Sequence, residues 1–136
     1  MINRVFGHIV QIISLALLLT ACDQDPFHQS YREIAGIYSL HRWEDGTTYY
    51  IENQNAQNQD QGGGIINGTV QKIGWNANYI LVKRLSTYQG DPSGWMLIDV
   101  NATSLKGPFT DQEIAKITEL NGMQVLDPGD AWKKLN

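Results

Sequence analysis

The sequence predicts an α+β domain, a small antiparallel β-meander of about five strands with two C-terminal helices packed on it. Three observations carry this prediction. Between Gly36 and Val100, short runs rich in aromatic and β-branched residues are separated by Asp-Gly, Asn-rich and Gly-rich breaks. Helix signals appear only after Gly107, where Thr110 and Glu113 have the spacing of a capping box. The chain has 136 residues and one cysteine, so its stability must come from a packed core and not from disulfides.

Each element follows from its residues. Gly36 to Trp43 reads as the first strand, Glu44-Asp45-Gly46 as a turn, and Thr47 to Ile51 as the second strand, Asp-Gly being a favoured hairpin dipeptide. From Asn53 to Gly64 there is no large apolar residue. Such a segment cannot bury enough surface to offset its ordering entropy, and a mobile loop is expected. Its glycines are followed by neither Lys-Ser/Thr nor a helix pattern, which excludes a phosphate cradle. Ile65 to Trp75 is the next strand, with a bulge needed for Val70 and Ile73 to share a face.

Asn76-Ala77-Asn78 connects this strand to Tyr79–Leu85, and the loop Gln89 to Gly94 leads into Trp95–Val100. Neither of these two strands alternates cleanly, which predicts a central pair covered on both faces, with a helix as one cover. The first helix starts at the Thr110/Glu113 box, with Phe109 and Ile114 at the spacing of a hydrophobic staple. Ile114, Ile117 and Leu120 form its apolar stripe, and Gly122 stops it. Asp127-Pro128 reads as the start of a last short helix carrying Trp132.

Ahead of this body, Arg4 precedes an apolar run from Ile9 to Leu19. The run has the length of a signal h-region and falls short of the roughly 20 residues of a spanning helix. It ends in Leu19-Thr20-Ala21-Cys22. A leucine, two small residues and the single cysteine resemble the lipobox of bacterial lipoproteins. The resemblance implies a signal peptide over residues 1–21, cleavage before Cys22, and diacylglycerol on the Cys22 sulfur. Acylation of the new amino terminus would follow, and two or more chains anchor stably. Residues 22–33 are then a lipidated tether and residues 34–136 a single domain. The implied location is the bacterial cell membrane, facing the periplasm. Asp23 resembles the inner-membrane retention signal of enteric-type lipoproteins and reads equally as one more acid in a polar tether.

Within the body, Val70-Gln71-Lys72-Ile73-Gly74-Trp75-Asn76 is followed by Tyr79-Ile80 and Lys83. Then come Trp95-x-x-Ile98-Asp99 and Gly107-Pro108-x-Thr110-x-x-Glu113. In this order they resemble an uncharacterised family of small bacterial lipoproteins, which implies an architecture and a location but no activity. More locally, Trp95, a turn, Gly107-Pro108-Phe109 and a helix look like the bacterial relatives of the GYF domain, which bind proline-rich peptides.

Without residues 1–21 the chain keeps nine basic and fourteen acidic residues, a net charge of −5. That balance argues against nucleic acid and against a polybasic lipid-binding face. A catalytic set is not visible. His28 and His41 are the only histidines after residue 21, and Ser39, Ser86, Ser93 and Ser104 lack a nucleophile elbow. No His, Asp and Glu grouping has metal-ligand spacing, so neither metal nor cofactor is expected. Asp99 ends an apolar strand, where it is expected to accept amides of the Asn101-Ala102-Thr103 turn. A hydrolase would need His41 and an acid such as Asp99 in one cleft. The expectation is a non-enzymatic protein that binds or inhibits a protein partner, with Trp43, Trp95 and Phe109 as candidate interaction surface. A GYF-like peptide-binding module and a small periplasmic hydrolase are the alternatives.

Overall fold

The computed structural model describes residues 31–55, 65–66, 69–86 and 92–135. Its strands form two antiparallel sheets. The first has the order β1-β2-β3, from β1 (Tyr31–Ala35), β2 (Tyr38–Arg42) and β3 (Tyr49–Asn53). The second has the order β7-β6-β5-β4-β8, from β4 (Thr69–Trp75), β5 (Tyr79–Leu85), β6 (Gly94–Asp99), β7 (Ser104–Phe109) and β8 (Val125–Leu126). Among the described residues helix is scarce: α1 (Asp111–Ile114), a 3₁₀ turn (Thr118–Leu120) and α2 (Pro128–Lys134). The described residues are mostly antiparallel β with short helices.

The expected single meander is corrected in two ways. Successive neighbours β4 to β7 do form a meander, but the N-terminal strands pair among themselves as a separate sheet. Three strands were also not foreseen. β1 (Tyr31–Ala35) begins inside the segment expected as tether, so strand structure is already present before residue 34. Arg32 hides the pattern there: its guanidinium lies 4.7 Å from the centre of the Trp132 ring and packs on it, although the residue reads as polar. β7 contains Gly107 and Pro108, residues that argue against a strand, yet it lies at a sheet edge, where a missing N–H goes unneeded. β8 is too short to show a period.

Other local readings hold. The register of β4 against β5 shifts between Val70 and Lys72, and both Val70 and Ile73 are buried in the main core. The carboxylate of Asp45 accepts the N–H groups of Thr47 and Thr48, both at 2.8 Å, and closes the β2–β3 hairpin. These bonds hold its pKa down to about 2, the hydroxyl of Thr48 contributing most. Asn76 Oδ1 accepts from the amides of Asn78 and Tyr79 in the next turn. The expected loop over residues 53–64 lies mostly outside the described residues.

The second sheet is covered on both faces, as the unbroken apolar runs of β5 and β6 require. Ile80, Val82, Met96 and Ile98 face the first sheet and α2, where they meet Tyr38, Leu40, Ile51 and Trp132. Leu81 and Leu97 face the other way, into a smaller cluster with Leu120, Phe109, Ile114 and Ile117. Each fully buried side chain of this kind stabilises the fold by about 1.5–3 kcal/mol. The capping box is formed, with Thr110 Oγ1 accepting from the Glu113 amide and Glu113 Oε2 from the Thr110 amide. The helix it opens makes one turn and gives way to the 3₁₀ turn, shorter than its stripe predicts. The stripe still packs on the sheet, Leu120 buried and Ile114 and Ile117 partly so, because helices this short depend on packing rather than propensity. Asp127 precedes Pro128 in an N-cap conformation, but its carboxylate pairs with Lys72 Nζ at 2.9 Å and does not cap the helix.

Candidate functional site

Two places on this scaffold gather the chemistry-bearing side chains. The first is the outer face of the β1-β2-β3 sheet. Register places Tyr31, His41 and Tyr50 directly across from one another on three adjacent strands. The period of two then puts Glu33, Ser39 and Glu52 in the next row of the same face. The rings are in contact: Tyr31 to His41 at 5.4 Å and 23°, His41 to Tyr50 at 5.0 Å and 30°, and Tyr50 to Trp43 at 5.7 Å and 53°. The first two pairs are offset stacks, rings slid across one another like tiles, and the third is tilted. The ends of the row are open, Tyr31 being 39% and Trp43 54% exposed. Trp43 owes its place to the hairpin, where its N–H donates to the Thr48 carbonyl at 2.9 Å.

Beside the rings, a shallow cleft of about 210 Å³ is lined by Tyr31, Glu33, Ser39, His41, Glu52 and Gln54. His41 Nε2 lies 2.8 Å from Glu52 Oε2 and 3.1 Å from Ser39 Oγ. An acceptor oxygen at 2.8 Å requires a proton on Nε2, so the imidazole donates from that nitrogen to Glu52. Ser39 and Glu52 therefore address the same ring nitrogen. A serine-histidine-acid relay needs them on opposite nitrogens, and Ser39 is fully buried besides.

Burial lowers the pKa of His41, and the negative charge of Glu52 opposes that shift without cancelling it. As pH falls below about 6.5, the unfolded chain takes up this proton before the folded one does. The contribution to stability is thus present above that pH and is lost as pH falls through the folded-state pKa. The thermal midpoint of the wild type should drop more between about pH 7.5 and 5 than that of His41→Gln. Parallel pH profiles would show that His41 is not so placed.

The second place is a cleft of about 230 Å³ on the far face of the five-stranded sheet, lined by Tyr79, Leu97, Asp99, Lys106, Phe109, Ile117 and Glu119. Asp99 Oδ1 accepts the amides of Asn101 and Ala102 at 3.1 and 2.9 Å, the turn role its position predicts. Phe109 forms part of the wall. Trp95 does not line the cleft; its indole N–H donates to Asp111 Oδ1 at 2.6 Å, with Lys83 Nζ 3.2 Å from the same oxygen. That indole bond, ahead of Lys83, lowers the Asp111 pKa. Trp95 and Asp111 thereby tie α1 to the sheet.

Of the residues singled out in the sequence, Trp43 and His41 come together in the ring row, and Asp99 and Phe109 in the second cleft. His41 and Asp99 lie in different clefts on different sheets. Trp95 and Phe109 are both half-buried. Cys22 and Asp23 lie outside the described residues. Among those residues no helix is long and apolar enough to cross a membrane, and no group of three or more His, Cys, Asp and Glu could hold a metal ion. Sequence reasoning missed Tyr31, Tyr50 and Lys106. Tyr31 and Tyr50 alternate with inward residues in β1 and β3, a signal that emerges only once the strand pairing is known.

No family model matches the chain, and no curated protein or solved structure does.

Proposed function

We propose that this chain is a lipid-anchored protein of the bacterial cell envelope that binds another protein, without catalysis, through the ring-bearing face of its three-stranded sheet. The observation that carries the reading is the row Tyr31–His41–Tyr50–Trp43, open at both ends. Tyrosine and tryptophan side chains bury large, rigid areas at small entropic expense, and they dominate the energetics of protein interfaces. Supporting the location are the apolar run and the lipobox-like Leu19-Thr20-Ala21-Cys22.

Affinity capture from envelope extracts tests the binding face, with the full chain as bait. Proteins recovered by the wild type should be lost from the folded Tyr31→Ala/Trp43→Ala double variant. Equal recovery by both, or none by the wild type, would remove the reading. The anchor is tested separately by metabolic labelling with a clickable fatty acid. Cys22→Ser should carry no label, because serine offers no thiolate for the thioether, and equal label in both chains would exclude Cys22 as the acylation site. Asp23→Ser in an enteric-type host tests retention. Its wild type should fractionate with the inner membrane and the variant with the outer.

A further inference from the structure

The cleft on the far face of the five-stranded sheet combines apolar walls with opposite charges that do not pair with each other. Tyr79, Leu97, Phe109 and Ile117 supply the walls, and Asp99, Glu119 and Lys106 the charges. Lys106 stands opposite Leu97 on β7, and Asp99 follows Leu97 by two residues on β6. The two are therefore diagonal neighbours on one face, a relation that sets Cα atoms about 7–8 Å apart. Lys106 nevertheless makes no ion pair or hydrogen bond among the described residues. Asp99 commits Oδ1 to the turn amides, and its Oδ2 accepts no hydrogen bond among the described residues.

We propose that this cleft binds a small zwitterion with an apolar side chain, a free amino acid of the leucine or phenylalanine kind or a dipeptide of such residues. The ligand carboxylate meets Lys106, its ammonium meets Asp99 and Glu119, and its side chain packs on Leu97, Phe109 and Ile117. Two acids against one lysine favour a ligand that brings an ammonium over one that brings only a carboxylate. The walls disfavour sugars and phosphates, whose polar groups would be left unpaired against Leu97 and Ile117. A volume of about 230 Å³ lies below the range of drug-sized sites, ~300–1,000 Å³, and suits one or two residues. The site lies on the opposite sheet from the ring row and stands independently of it.

The test is a heteronuclear NMR titration of the isotope-labelled full chain in nonionic detergent. Its probes are leucine, dileucine, N-acetyl-leucine and isoamylamine. Leucine or dileucine should give saturable shifts at the amides of Asp99, Lys106 and Phe109. N-acetyl-leucine, which lacks the ammonium, and isoamylamine, which lacks the carboxylate, should each bind at least tenfold more weakly. Lys106→Met should weaken leucine tenfold or more and leave isoamylamine unchanged. Tighter binding of leucine than of dileucine assigns the site to the free amino acid, and the reverse order to the dipeptide. The proposal is overturned if neither gives saturable shifts, or if a singly charged analogue binds as well as leucine.

Discussion

Gly107→Ala is expected to destabilise the protein by about 2–5 kcal/mol, a large share of the stability of so small a domain. Gly107 has φ +130°, a conformation that L side chains rarely adopt, and it lies against its neighbour strand. A Cβ there would come within 2.6 Å of the Trp95 carbonyl oxygen, 3.0 Å of Met96 Sδ and 3.2 Å of Met96 Cα. The sulfur can move aside, but the two backbone atoms belong to β6 and cannot yield without breaking the β6–β7 ladder. Gly122 is the control. Its φ is +79°, yet nothing lies within 4 Å of the position its Cβ would take, so Gly122→Ala should cost only about 1 kcal/mol. Urea denaturation of the two variants separates steric conflict from backbone preference. Coincident midpoints would show that the close approach of β7 to β6 is not what makes Gly107 necessary.

Trp132→Ala is expected to cost about 3–5 kcal/mol. Trp132 is buried on α2, with the guanidinium carbons of Arg32 and Arg42 at 4.7 and 4.8 Å from its ring centre and the Tyr49 ring at 5.9 Å. It thus holds α2 against β1, β2 and β3 at once, while Ala131 and Leu135 enter the core shared with the second sheet. Truncation removes the ring and leaves two guanidinium groups without the aromatic face they lie over. Trp132→Phe keeps an aromatic face for both guanidinium groups and should lose less than half as much. Equal denaturation midpoints for the alanine and phenylalanine variants would mean that the ring does not join α2 to the first sheet.

Local chemistry was legible wherever a feature is closed within a few residues. The Asp45 turn, the Asn76 turn, the Thr110/Glu113 box and the Asp99 turn each satisfy backbone amides from side chains no more than three positions away. The bulge after Val70 was legible for a related reason, since two apolar residues three apart cannot share a strand face without one. The double covering of β5 and β6 could be read from their unbroken apolar runs, because a residue too apolar for water must face something. The sequence also carries the lipobox-like stretch before the described residues.

Tertiary structure alone decided which strands share a sheet. Hydrophobic pattern says which face of a strand is buried, but not against which partner, and so the N-terminal hairpin could not be told from an extension of the meander. β1 and β7 were hidden for the same reason: Arg32 acts as a packing residue only beside Trp132, and Pro108 is tolerated only because β7 is an edge. Both candidate sites arise at this level. Tyr31, His41 and Tyr50 are far apart in the chain and become one surface through register, and Asp99 meets Lys106 across the β6–β7 pair. A shift of either register by one residue would turn these side chains to the opposite face, because the side-chain period of a strand is two.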